Sequence, residues 1–363
     1  YKIVEPAGGK IYLINAKMFI MATGSIELPC IYENNDLPGT ITASTALRLV
    51  NEYDVNIGEN VVIIGVTDYS VRVASQLVDK GTNVTMITKY DSLDIQAENE
   101  RILNKKGIEV IKNVKKLKAQ GKDKVESIVI ATENEIRTID VDMVIFGALE
   151  NSNFKLPAQA GIEVVYVNKI GFVPIHNEFM ETKMENILVA GGVTGSFYEI
   201  LQTVEGRIAG LTASIKLGKG GAEERDKFLK DHREFSSKLG IWQYKEKVFK
   251  IFEGEEIENE PLADVPTWYS TDYTGKQFVC FCEDITVKDL YKTVKDINFD
   301  KMELIKRYTG ISTGKCQGRL CLVNAALLAS KILGTDPNNV GLIRQRLPII
   351  PIPFRVISGV ELE

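Results

Sequence analysis

The chain has 363 residues, 44% of them hydrophobic and 26% charged, with a formal net charge of -5 and a pI near 5.5. A length of this order holds two or three domains with sizeable cores, and the mild acidity leaves no electrostatic footprint for nucleic acid. No apolar run reaches the roughly 18 residues of a membrane span, no secretory leader is visible, and the cysteine usage reads as reduced thiols of a cytoplasmic protein.

Taken in order, Lys2 to Val4 and Lys10 to Asn15 form a hairpin around Gly8-Gly9. Met18 to Met21 is a short buried strand that stops at Ala22-Thr23-Gly24, with Glu27-Leu28-Pro29 and Leu37-Pro38-Gly39 beyond. A strand ending in this way resembles the point where flavoproteins with two dinucleotide-binding domains cross from the flavin domain to the inserted one. In such proteins a glycine-rich loop precedes the crossing, and none does here. The expectation is a fragment, or a second chain that supplies the missing half.

Asn60 to Ile64, a helix through Val73 and Leu77 to Gly81, and Asn83 to Thr88 make a βαβ unit of dinucleotide-binding type. Its loop reads Gly65, Val66, Thr67, Asp68, Tyr69, Ser70. Gly65 stands at the first glycine position, but Thr67 and Ser70 fill the second and third, where side chains crowd an approaching pyrophosphate. About twenty residues on, where an acid would hold a ribose hydroxyl, stands Thr88-Lys89-Tyr90. The fold is expected and an adenine nucleotide stays open, with NAD disfavoured. A helix from Ala97 to Lys106 and a strand from Glu109 to Ile111 follow. The next three strands, Lys115 to Ala119, Val125 to Thr132 and Ile136 to Ile139, are expected to form a meander, and Val141 to Phe146 is a buried strand. Gly147 with Asn153 resembles the return crossing.

The stretch Asn186 to Gly195 resembles a second flavin motif, a strand ending in the tight turn Gly191-Gly192-Val193 ahead of a helix through Ile200, Val204 and Ile208. Glu205-Gly206-Arg207 matches an EGR motif of the same proteins, whereas Gly192 stands where an Asp usually holds the ribityl chain. A flavin is therefore expected to meet backbone N–H groups of Gly192 and Val193, and the helix N-terminus remains able to serve an anion. Gly218 to Gly221 marks a hinge, and Glu223 to Phe252 is a charged helical region expected to pack between domains. There His232 reads as solvated, and His176, in a loop beyond a proline, has little claim to catalysis. Glu253 to Glu260 reads as an acidic loop, Pro261 to Gly275 as an extended linker, and the stretch after Gly334, with Pro348, Pro351 and Pro353, as a strap.

Four of the five cysteines lie in Cys280-Phe-Cys282 and Cys316-Gln-Gly-Arg-Leu-Cys321. Between them Thr286 and Asp289 form a capping box opening a helix through Leu290 and Val294, a second helix runs from Asn298 to Tyr308, and Cys321 opens an apolar helix to Gly334. Four thiolates from two close pairs suit a [2Fe-2S] cluster. Zinc is less suited to the C-x-C spacing, and a redox disulfide would leave Cys280 and Cys282 without a role. The N-terminus of the last helix and Arg319 both favour negative charge at this place.

The runs CFCEDIT and KRYTGISTGKCQGRLC resemble the small [2Fe-2S] domain of a family of flavin-linked amine dehydrogenases, which includes the sarcosine oxidase alpha subunit, dye-linked L-proline dehydrogenase and the opine and hydroxyproline dehydrogenase A subunits. The resemblance implies an α/β chain with two dinucleotide-binding domains, like the pyridine nucleotide-disulfide oxidoreductases, followed by a helical cluster domain. The expected division is 1–40 with 141–218 for the flavin portion, 41–140 for the inserted domain, 219–275 for a helical linker, 276–335 for the cluster domain and 336–363 for the tail. It further implies FAD or FMN, shared with a partner chain or held here at Thr23, Gly24 and Gly191 to Val193, and a cluster on Cys280, Cys282, Cys316 and Cys321. The implied partners are a catalytic flavoprotein subunit and either the missing flavin-domain half or a small ferredoxin-like subunit.

The function expected on these grounds is electron transfer in a heteromeric dehydrogenase or oxidase of a secondary amine or imino acid, with the substrate oxidised elsewhere. A self-contained NAD(P)H oxidoreductase and a non-catalytic scaffold with a structural metal are the other two readings.

Overall fold

The computed structural model describes residues 2–5, 10–147, 150–256, 268, 276–344, 346–349, 352–354 and 358. The Gly8-Gly9 turn, the end of the acidic loop, all of the extended linker but Trp268, and much of the strap lie outside them. Among the described residues no helix is long and apolar enough to cross a membrane.

β1 (Lys2–Glu5) and β2 (Lys10–Leu13) pair antiparallel, and β3 (Phe19–Met21) leads to β4 (Ser25–Glu27). The inserted unit follows as β5 (Thr40–Thr42), α1 (Ala43–Asn51), β6 (Asn60–Ile64), α2 (Asp68–Asp79), β7 (Asn83–Ile87), α3 (Ala97–Lys106), β8 (Glu109–Ile111), β9 (Lys116–Gln120), β10 (Ser127–Ala131), β11 (Ile136–Asp140) and β12 (Met143–Phe146). Five of these strands form a parallel sheet in the order β5-β12-β6-β7-β8, and β9, β10 and β11 form an antiparallel meander. β6 is apolar at four consecutive positions because both its faces are covered. Val61 and Ile63 pack under α1, α2 and α3 with Ala74 and Leu77, while Val62 and Ile64 pack against Leu117 and Ile128 of the meander.

The chain returns through β13 (Glu150–Ser152), which pairs antiparallel with β4 so that the outgoing and returning crossings form one two-stranded ribbon. Beyond it lie α4 (Lys155–Gln159), the hairpin of β14 (Val164–Val167) and β15 (Gly171–Pro174), and β16 (Ile187–Val189), which lies parallel to β3. α5 (Glu199–Lys216), α6 (Ala222–Lys238) and α7 (Trp242–Glu253) complete this part. The charged region expected as one helical stretch is two helices broken at Gly240, whose φ is 68°. They pack on the flavin-motif portion itself: Phe228 and Phe235 sit against Val204 and Ile208, and Val248 and Phe249 against Val167 and Val173.

One buried carboxylate fixes this arrangement. Glu205 is fully buried, and its oxygens accept from the Gly191 N–H (2.9 Å), Thr194 Oγ1 (2.6 Å), Ser196 Oγ (2.5 Å) and Lys245 Nζ (3.0 Å), with His232 Nε2 at 3.1 Å. Lys245, itself fully buried, also donates to the Thr194 carbonyl (2.7 Å). Burial opposes ionisation of Glu205 most strongly, yet Lys245 beside it and the hydrogen bonds from His232 and Ser196 hold its carboxyl well below the usual range. The expected solvated position of His232 is therefore corrected, since the residue is 1% exposed with its ring against Glu205. His176 is buried too, with Nδ1 2.8 Å from the Pro174 carbonyl, and burial, reinforced by the Lys245 charge, lowers its pKa to about 4.

The last unit comprises β17 (Phe278–Cys280), β18 (Ile285–Thr286), α8 (Val287–Lys295), α9 (Met302–Thr309), α10 (Leu322–Leu333) and α11 (Pro337–Val340), with Cys280 ending β17, Cys282 in the turn after it, and Cys316 and Cys321 between α9 and α10. The Thr286 and Asp289 capping box forms as expected, while the second helix starts at Met302 rather than Asn298, whose φ of 63° is not helical. This unit shares a core with the crossing segment: Ile26, Leu28 and Ile31 pack with Val279, Ile311 and Val323. Asn35 donates to the Phe278 carbonyl (2.9 Å) and accepts its N–H (2.8 Å), and Asn324 donates to the Pro29 carbonyl (2.7 Å). Trp268 reaches the inserted unit, its Nε1 donating to the Val114 carbonyl at 2.7 Å.

Two predictions concern buried charge. Lys245→Met strands the Glu205 carboxylate and should cost about 3–5 kcal/mol in denaturant unfolding, whereas a Glu205→Gln, Lys245→Met double variant should recover part of that loss. Because the folded pKa of Glu205 is depressed, its contribution is present above about pH 4.3, the unfolded value, and fades as pH falls below it. Glu205→Gln should flatten that acid limb, and equal slopes in both proteins would refute the assignment. On the crossing ribbon, Glu150 stands opposite Glu27, and burial, then the Glu27 charge, raise its carboxyl to about 7 against the pull of Arg72. A raised carboxyl stabilises the fold at low pH and loses that contribution as pH rises from about 4 to 7. Urea midpoints measured across this window should fall for the parent and stay flatter for Glu150→Gln.

Candidate functional site

The Gly65 to Ser70 loop closes on itself. Gly65 takes φ 99° as the chain leaves β6, and Thr67 caps α2 by accepting the Ser70 N–H at 3.1 Å while Ser70 Oγ accepts the Thr67 N–H at 2.8 Å. Thr67 Oγ1 donates to the Gly147 carbonyl (3.0 Å) and Ser70 Oγ lies 3.0 Å from the Gly65 carbonyl. The two residues that replace glycines thus bond each other's N–H groups and stand where a phosphate would approach. Asp68 is spent on packing, with Oδ1 accepting from the Gln96 N–H (2.7 Å) and Asn99 Nδ2 (2.6 Å). Tyr69 faces the crossing ribbon, where burial and the charges of Glu27 and Glu150 push its hydroxyl up to about 12. Lys89 stacks over the Tyr90 ring, 5.2 Å from its centroid.

Thr23 and Gly24 meet the return crossing and the flavin-motif turn together. Thr23 Oγ1 donates to the Asn153 carbonyl (2.8 Å), and the Asn153 N–H donates to the Gly24 carbonyl (2.9 Å). Gly192 packs directly beneath, where a Cβ would stand 3.0 Å from the Gly24 carbonyl carbon and the Ser25 nitrogen. A side chain at residue 192 would press on this backbone, which favours glycine there. Gly191 to Thr194 form a 3-10 turn, and the helix expected after it is α5, which starts at Glu199. The anion served by the turn is the chain's own Glu205. Thr23, Gly24 and Gly191 are half-buried, while Gly192 and Val193 are buried.

The four cysteines of the last unit converge, and none is in a disulfide. Cys280 (1% exposed) and Cys321 (0%) lie inside, with Cys282 and Cys316 partly exposed. Cys321 lies beside both Cys280 and Cys316, and Cys316 beside Cys282. Backbone N–H groups of Ser312, Glu283 and Cys282 point at the Cys280 sulfur, those of Leu320 and Gly318 at Cys316, and that of Cys316 at Cys282. The Ser312 hydroxyl lies 3.3 Å from Cys321 Sγ. The Cys321 thiol, joined by the backbone donors and opposed by burial, holds the Cys280 and Cys316 thiols below their ordinary range, while Cys280, Cys316 and burial push Cys321 up. Among the described residues no three or more His, Cys, Asp or Glu side chains are arranged as a cage for one metal ion. The thiols instead touch one another in a row.

The loops that bring them together hold left-handed residues, with φ of 52° at Asp284, 67° at Ser312, 53° at Gln317 and 74° at Gly318. Such conformations are costly for residues other than glycine and concentrate at functional sites. A Cβ on Gly314 would collide with that of Cys282, so glycine there permits the close approach of the two cysteine loops. Arg319 is exposed, and the buried cation of this region is one that the sequence did not single out. Lys155, 9% exposed at the start of α4, donates to the Gln317 carbonyl between Cys316 and Cys321. Other residues missed in the sequence are Glu205 in its buried role and Lys245, for which no local signal exists. The capping pair Thr67 and Ser70 was legible from its spacing.

This architecture has counterparts among known proteins. Residues 274–360 match the Sarcosine oxidase A3 domain. Over 96% of its length the chain is 25% identical to the alpha subunit of a sarcosine oxidase from Corynebacterium sp. (strain P-1), covering 34% of that relative. It is 23% identical to the A chain of an opine oxidase from Rhizobium meliloti, covering 95% of this chain and 66% of the relative. The crystal structure of L-proline dehydrogenase from P. horikoshii has the same fold, with a TM-score of 0.68 at 22% identity over 96% of this chain and 60% of that one. The chain thus spans about a third of the sarcosine oxidase alpha chains it resembles. Residues 2–218 match the Pyridine nucleotide-disulphide oxidoreductase family, and because that is more than half of the chain, the protein belongs to this family.

Proposed function

We propose that the chain is the electron-transfer part of a heteromeric flavin- and iron-sulfur-dependent dehydrogenase or oxidase of a secondary amine or imino acid, with substrate oxidation on a partner subunit. The observation that carries this reading is the convergence of four free cysteines from two distant loops, with backbone N–H groups aimed at their sulfurs. The relatives named as sarcosine oxidase, opine oxidase and proline dehydrogenase supply the substrate class.

Cys280, Cys282, Cys316 and Cys321 would hold a [2Fe-2S] cluster, whose requirement is four thiolates around an extended group rather than a cage around one ion. Thr23, Gly24 and the turn from Gly191 to Val193 would border a flavin, FAD or FMN, completed by a partner chain. A flavin bound there would take electrons in pairs and release them one at a time, and a cluster would carry them singly, which is the chemistry of a relay. The protein's own contribution is electrostatic. N–H groups of Glu283, Ser312, Gly318 and Leu320 stabilise negative charge on sulfur, and the left-handed loop residues keep them aimed. Both histidines are buried, so neither is placed to take a proton from an amine at the surface.

A self-contained NAD(P)H oxidoreductase is the second reading. The capping pair Thr67 and Ser70 weighs against it, because it takes the Thr67 and Ser70 N–H groups and puts two side chains where glycines admit a pyrophosphate. Titration of the purified protein with NADPH and NADH should leave the flavin oxidised, and reduction at micromolar nucleotide would reverse the order of the two readings.

Cys282→Ser or Cys316→Ser should abolish the visible absorption and the EPR signal of the reduced cluster. Either should also remove hydrogen-exchange protection from residues 276–335, because ligation contributes to folding in small metal domains. Unchanged colour and protection in both variants would refute the ligand assignment, and colourless parent protein containing zinc would replace iron by a structural metal.

A further inference from the structure

Lys155 belongs to the flavin-motif portion of the chain, yet its ammonium ends in the cysteine unit. It opens α4, two residues after Asn153, which is bonded through its backbone to both Thr23 and Gly24. Its Nζ donates to the Gln317 carbonyl, in the loop whose ends are Cys316 and Cys321. Only 9% of the residue is exposed. Burial lowers the Lys155 pKa, the charges of Cys316 and Cys321 act to raise it, and Arg319 acts to lower it, so the two sulfurs are electrostatic neighbours of this cation.

The placement has two physical consequences. A positive charge kept from solvent acts on nearby sulfur far more strongly than an exposed one, because screening by water is weakest there. Arg319, the cation that the sequence alone places between the ligands, is exposed and acts through water. The path from the Gly24 backbone to the cysteine loop is also short in bonds. It runs from the Gly24 carbonyl to the Asn153 N–H, along Phe154 to Lys155, and across one hydrogen bond to Gln317.

We infer that Lys155 is a positioning residue that sets the reduction potential of the four-cysteine centre from the neighbouring flavin-motif portion, by holding a buried positive charge beside the Cys316 to Cys321 loop. Reduction adds one negative charge to the centre, and the ammonium stabilises the reduced form more than the oxidised one. The inference rests on the proposed relay role of those cysteines.

The test is an EPR-monitored redox titration of the purified protein and of three variants. Lys155→Gln keeps a hydrogen-bond donor and removes the charge, Lys155→Met removes both, and Lys155→Arg keeps the charge. In both neutral variants the equilibrium should move about tenfold toward the oxidised cluster, about 59 mV for a one-electron couple. Lys155→Arg should stay near the parent value. A parent potential in Lys155→Gln overturns the inference while leaving the cluster assignment intact. Loss of iron from both neutral variants also overturns it, since Lys155 would then be a strut for the loop and not a tuning charge. A parent free of iron overturns the relay reading and the inference with it.

Discussion

The structure depends on the ionised carboxylate of Glu205 at a point no water reaches. A bare buried carboxylate is far too costly to persist, so its presence implies partners, and they come from four separate segments: the turn at Gly191 and Thr194, the connection at Ser196, α6 through His232 and α7 through Lys245. Each segment loses a charge-assisted bond if it departs. The helices after Gly221 are thereby part of the body of the protein and not a linker laid across it.

The same carboxylate has a consequence at the crossing. By taking the Gly191 N–H it turns the flavin-motif turn inward and holds Gly192 against the Gly24 backbone. Gly24 in turn accepts the Asn153 N–H, and Lys155, two residues further on, reaches the cysteine loop. Positions distant in sequence are therefore joined by an unbroken series of short contacts. A change in the turn has a physical route to the loop carrying Cys316 and Cys321, and the shared core of Ile26 and Leu28 with Val279 and Val323 makes that route stiff.

How much of this was legible in the sequence follows from how local each signal is. The strand Asn60–Ile64 and its βαβ unit are announced by an unbroken β-branched run, and the cysteine pairs by their spacing, because neighbours in sequence carry those signals. His232 misled for the opposite reason. Its helix carries Arg225, Lys227, Asp231 and Arg233, and nothing nearby shows that one face is sealed by a carboxylate 27 residues earlier and a lysine on the next helix. Lys155 was invisible on the same ground, its acceptor lying 162 residues away. Thr67 and Ser70 are a different case. They read as two missing glycines, although an oxygen-bearing side chain at each end of a four-residue helix start is itself a capping signal, the one that locates α8 from Thr286 and Asp289.

That capping pair also bears on where electrons enter the proposed relay. A dinucleotide loop needs free helix donors and an open backbone, and here the Thr67 and Ser70 N–H groups are bonded within the loop while Gly147 packs so close to Ser70 that an added Cβ would stand 2.6 Å from the Ser70 Cβ. Each substitution that weakens the loop as a phosphate cradle strengthens it as the end of a helix. A domain altered in this direction retains its sheet and both its packed faces, so it keeps its value as the rigid mass on which the crossing ribbon of Glu27 and Glu150 is mounted. On the proposed relay reading, a donor group would lie on the side of Thr23 and Gly24, where the half-buried backbone adjoins Asn153 and Lys155. The electron donor on this reading is a group held against that crossing, and the inserted unit serves as its support.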